Sequence, residues 1–62
     1  MRDMLNALYR EYSVAPSPSP SQRHALAWAA YVLGSAGMLV CEVREACEGL
    51  RAAFENSPAA AN

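Results

Sequence analysis

Between Ser19 and Asn56, apolar or small residues recur at Leu26, Ala29, Leu33, Ala36, Val40, Val43, Cys47, Leu50 and Phe54, in steps of three and four. Such a rhythm is that of a helical seam, one stripe of side chains down one side of an α-helix. It constrains the fold more than any other feature of the chain. A single helix over this stretch has too little remaining chain to cover its apolar side, so the seam predicts either a partner helix or a fold that doubles back.

The glycines decide between these. Gly34-Ser35-Ala36-Gly37 lies in the middle of the segment, where two glycines cost about 2 kcal/mol relative to alanine in a helix interior. The tetrapeptide also suits the connection of a helical hairpin. Against a break stands the seven-residue series Leu26, Leu33, Val40, Cys47, Phe54, which crosses the glycines without a change of phase. Ala30, Gly34 and Gly37 further suggest a flat strip where another helix could approach closely. The register favours one continuous helix over about 20–56, with a hairpin turning at 34–37 as the alternative. The expected interface between copies is Leu26, Leu33, Val40, Val43, Cys47, Leu50 and Phe54.

Upstream, Met4, Leu5, Leu8, Tyr9 and Tyr12 form a second stripe, which predicts a short amphipathic helix over about 2–13. A helix of this length is unstable alone in water and must dock on something. Residues 14–20, Val-Ala-Pro-Ser-Pro-Ser-Pro, read as an extended linker, because each proline disfavours helix in the residue before it. Ser19-Pro20-Ser21-Gln22 is a helix start, with a capping serine, a proline where no N–H is needed and a glutamine placed to reach back to the cap. Asn56-Ser57-Pro58 reads as a stop, and 57–62 as a flexible tail. The expected fold is therefore all-α, a single small helical domain assembled as an oligomeric bundle.

A chain of 62 residues buries only about 60% of its unfolded surface, so a disulfide, a metal or oligomerisation usually assists. Cys41 and Cys47 would stand roughly 9 Å apart along a helix, beyond the roughly 7 Å that a disulfide spans. They read as small apolar groups, or as one bridge to a second chain. His24 is the one histidine, too few for a zinc site. Glu42, Glu45 and Glu48 lack the histidine that a carboxylate-bridged metal centre requires. His24 also has no nearby acid to orient it as a base, and no phosphate-binding glycine motif occurs. No enzyme, cofactor or metal is expected.

Five arginines, no lysine and six acidic residues give a net charge of −1. The arginines are dispersed at 2, 10, 23, 44 and 51, whereas phosphate contacts need clustered cations. Nucleic acid is thus disfavoured as a partner, and a DNA-associated transcriptional regulator is a minor alternative. Ala25 to Cys41 carries no charge and makes a single-pass membrane peptide a second alternative, at the short limit of a span. Asp3, Arg10 and Glu11 argue against a signal peptide. Alanine at about a fifth of the chain, with lysine, isoleucine and threonine absent, suggests a GC-rich bacterial or phage genome. The expected function is a cytoplasmic, non-enzymatic interaction module. It would be most simply a homodimer serving as adaptor, chaperone or phage- or plasmid-encoded inhibitor, with Trp28, Tyr31, Tyr9 and Tyr12 offered to a partner protein.

Overall fold

The structure is a computed structural model that describes Arg2 to Glu55, so the expected tail at 57–62 lies outside the described residues. Three helices follow in order: α1 over Arg2–Tyr12, α2 over Pro20–Gly34 and α3 over Val40–Phe54. The long segment takes the hairpin alternative rather than the continuous helix. Among the described residues there is no strand.

The break has a physical cause in the loop and a larger one in the packing. Gly37 has φ +81, the left-handed region that costs an L-residue about 1–2 kcal/mol. Before it, the Ser35 hydroxyl donates to the Tyr31 carbonyl at 2.9 Å and the Ser35 N–H to that of Val32 at 3.2 Å, closing the last turn of α2. After it, the Glu42 carboxylate accepts from the Leu39 N–H at 3.0 Å. This is half of a capping box, since Leu39 has no side-chain acceptor to return the bond. The larger cause is burial. Folding at 35–39 lays the stripe of α2 (Ala25, Ala29, Val32) on that of α3 (Val43, Ala46, Cys47, Leu50), and all seven side chains are buried.

The uninterrupted register is explained by a coincidence of spacing. Ala25, Val32, Val43 and Leu50 are separated by seven, eleven and seven residues. Eleven is about three helical turns, so the second stripe starts in phase with the first even though five residues between them are not helical. One seam residue exposes the difference: Val40 is 63% exposed. Val43, Cys47 and Leu50 are buried in the chain's own core, while Leu26, Leu33 and Phe54 are half-buried against it. Ala30 and Gly34 are exposed and Gly37 lies in the loop, so no helix approaches along that strip among the described residues.

Helix α1 covers the hairpin with Leu5 and Leu8, which are buried with the two stripes in one core. It runs antiparallel to α2 and parallel to α3, an orientation fixed by contacts at both ends. At one end the Arg2 guanidinium donates to the carbonyls of Leu33 at 2.8 Å and Ser35 at 3.4 Å. Helix α2 has no cation in its own last turn, and Arg2 supplies one where the unpaired carbonyls and the helix dipole favour positive charge. At the other end Tyr12 stacks on Phe54, with ring centroids 4.5 Å apart and planes 6° from parallel.

The start of α2 follows the expected capping box. Ser19 Oγ accepts from the Gln22 N–H at 3.2 Å, and Gln22 Oε1 accepts from the Ser19 N–H at 2.8 Å. Gln22 does more than its local sequence implies, because its Nε2 also donates to the Ala53 carbonyl at 3.1 Å and ties α2 to the end of α3. Residues 13–19 form turns and extended backbone, as the prolines require.

The membrane alternative is corrected by the same break. Residues 25–41 are interrupted at 35–39, and among the described residues no helix is long and apolar enough to cross a membrane. The cysteines also separate. Cys47 lies in the core, but Cys41, at the second position of α3, is exposed rather than covered. Six residues of helix put the two on different faces.

Candidate functional site

The outer side of the α2–α3 hairpin carries an open groove of about 540 Å³, lined by Ser21, His24, Ala25 and Trp28 of α2 and by Glu45, Gly49, Ala52 and Ala53 of α3. No residue of α1 contributes. The groove exists because small side chains occupy the facing positions. Ala25, Ala29 and Ala46 let the two backbones approach, and Gly49, Ala52 and Ala53 continue a shallow apolar floor along α3. A Cβ placed on Gly49 would meet no atom within 4 Å, so glycine at 49 answers no crowding inside the chain. It leaves a hollow.

Trp28 forms the wall opposite. Its ring is half-buried against the core cluster and stacks on Tyr31, with centroids 5.4 Å apart and planes 24° from parallel. Tyr31 is 61% exposed, so the pair presents an aromatic edge beside an apolar floor. Large amphipathic rings in such settings supply contact area with little loss of conformational freedom. Polar groups are few: His24 and Glu45, both exposed, and the Ser21 hydroxyl.

The four aromatic residues expected at the binding face are divided between two places. Trp28 and Tyr31 stand together at the groove, whereas Tyr9 and Tyr12 are half-buried on α1 among residues packed against the core. Tyr12 works structurally. Besides its stack on Phe54, its hydroxyl donates to the Glu55 carboxylate. That hydrogen bond, with partial burial and the negative charge of Glu55 behind it, pushes the phenol up to about 12 from its ordinary 10. A folded-state value above the unfolded one means that protonated Tyr12 favours the fold. The contribution is whole below pH 10 and is lost as pH rises from 10 to about 12. Phenolate absorbance should accordingly show one late-titrating tyrosine that Tyr12→Phe removes, and the melting temperature of Tyr12→Phe should vary less than that of wild type over the same interval. A Tyr12 that titrates with the other tyrosines would reject the clasp.

Three of the five arginines are turned inward on the chain's own groups: Arg2 on α2, Arg23 on the Pro18 carbonyl at 3.1 Å, and Arg51 against the Met4 sulfur at 3.6 Å. Gly49, Ala52, Ala53, Ser21 and Glu45 were not singled out by sequence pattern as a binding face. Their small or polar side chains gain meaning only once α3 is turned against α2. Comparison with protein families, with curated proteins and with solved structures yields no match.

Proposed function

We propose that this chain is a non-enzymatic protein-interaction module of the cytoplasm. It acts as a small adaptor, chaperone or inhibitor that associates with itself and occupies the surface of a larger protein. The observation that carries this reading is the stacked Trp28–Tyr31 pair, one ring half-covered and one exposed, at the rim of an apolar groove built from small side chains. Tyr31 is not an isolated exposed ring: stacked on Trp28 beside the apolar floor it makes a contiguous patch, and such patches mark interaction surfaces. The polar groups beside it fit the rim of an interface, with an apolar centre and a few hydrogen-bonding groups around it.

A photo-crosslinking residue at position 31, expressed in the source cell, tests the reading. A discrete adduct from position 31 is expected, weakened by Trp28→Ala and absent when the crosslinker is moved to the exposed Arg10 on α1. Equal, diffuse labelling from positions 31 and 10 would reject the groove as an interaction face.

A further inference from the structure

We infer that the occupant of the α2–α3 groove is the same groove of a second copy, the two chains being related by a two-fold axis parallel to the helices. The inference deepens the self-association proposed above by naming its surface and symmetry. A two-fold interface brings one patch onto itself and therefore needs a patch that holds both a projection and the recess to receive it. This groove holds both. Trp28 stands on the α2 wall, and across from it Gly49 and Ala52 leave an open hollow that nothing in the chain fills.

An axis parallel to the helices keeps every residue at its own height and exchanges the walls, so α2 of one copy lies over α3 of the other. Each Trp28 then meets the partner copy's row of small residues at the level where the two already face each other across the groove.

Charge selects this axis over the perpendicular one. Helix α3 carries Glu42, Glu45 and Glu48 with Arg44 and Arg51, and Glu45 is its charged residue in the groove lining, whereas α2 carries no carboxylate and has Arg23 and His24. Laying α2 on α3 opposes no carboxylate to another. The perpendicular two-fold lays α3 on α3 and brings Glu45 of both copies to one interface, where like charges in close apposition are costly. A stable interface removes roughly 600–1,000 Å² from each partner, out of a total surface of 4219 Å² on this chain; the groove spans Ser21 to Trp28 of α2 and Glu45 to Ala53 of α3, and the exposed Tyr31 beside Trp28 widens the face that two copies would share. Neither free cysteine is paired within the chain, so association is the form of support left to a core whose buried side chains include three alanines.

Sedimentation equilibrium of the full chain over about 1 to 500 µM gives the first readout. The expected weight is twice the chain's 6.7 kDa. Gly49→Glu should weaken association at least about tenfold while leaving the far-UV spectrum unchanged, since a side chain at 49 has open space within one chain. The axis is read separately. A spin label on the exposed Cys41, mixed with isotopically labelled but spin-free protein, should broaden amide signals of the other copy's α2 more than those of its α3. A chain monomeric at every concentration, a dimer indifferent to Gly49→Glu, or broadening centred on the partner copy's α3 would each overturn the inference. A monomer that still yields the position-31 adduct overturns this inference alone. A dimer whose position-31 adducts join only two copies of the chain leaves it standing and rejects the binding of a larger protein.

Discussion

Leu50→Asp is expected to leave the chain unfolded under conditions where the wild type is fully helical. Leu50 is 0% exposed and lies among side chains from all three helices. Truncating such a leucine costs about 2–5 kcal/mol, and a carboxylate in its place adds the penalty of a buried, unpaired polar group, roughly 2 kcal/mol or more. A domain of this size has about 3–9 kcal/mol in total, so the loss is of the same size as the whole stability. The informative comparison is Val40→Asp. The continuous seam would place Val40 with Leu50, making the two aspartates equally damaging. In the hairpin, Val40 is 63% exposed at the first position of α3, where a negative charge suits the helix dipole. Val40→Asp should therefore melt within about 0.5 kcal/mol of wild type. Far-UV circular dichroism with thermal melts of both variants decides the matter. Retained helicity in Leu50→Asp, or collapse of Val40→Asp, would mean that the core is arranged otherwise.

That pair of substitutions also marks where sequence reading succeeds and where it stops. The helix start at Ser19 to Gln22 is legible because a cap is a local device, set by four consecutive residues and one pattern of hydrogen bonds. The stripe on α1 is legible for the same reason: Leu5 and Leu8 fall a turn apart on one face. The break after Gly34 is legible only as an option. Its glycines permit a turn, but the decision rests on the burial of Ala25, Ala29 and Val32 against Val43, Ala46 and Leu50, a sum over contacts between segments far apart in the chain. Alanines are the weakest signal of all, yet Ala29 and Ala46 are among the most completely covered residues because they stand where two helices come closest. The groove follows the same logic. Trp28 announces itself by type, while Gly49 and Ala52 become its opposite wall only through the pairing of α2 with α3.

Gln22→Ala should lower stability by about 2 kcal/mol, the largest effect expected from any polar residue in the chain, because one side chain serves two junctions. Its Oε1 accepts from the Ser19 N–H and its Nε2 donates to the Ala53 carbonyl. The Ser19 hydroxyl still caps the backbone N–H of residue 22, but two part-buried side-chain hydrogen bonds are lost, each at a cost of about 1 kcal/mol. For a domain of this size the sum corresponds to a fall of roughly 8–16 °C in melting temperature. Two further variants separate the terms. Ser19→Ala removes the cap acceptor and leaves the tie to α3, so it should cost about half as much. Gln22→Glu keeps an acceptor for the Ser19 N–H but has no donor, and its carboxylate would face the Ala53 carbonyl. It should therefore retain the start of α2 while loosening the end of α3, seen as faster amide exchange in the last turn of α3 than at Pro20 to Ala25. If Ser19→Ala and Gln22→Ala melt together and Gln22→Glu matches wild type, the bond to Ala53 contributes nothing. The open end of the hairpin would then be held by Tyr12, through its stack on Phe54 and its hydrogen bond to Glu55.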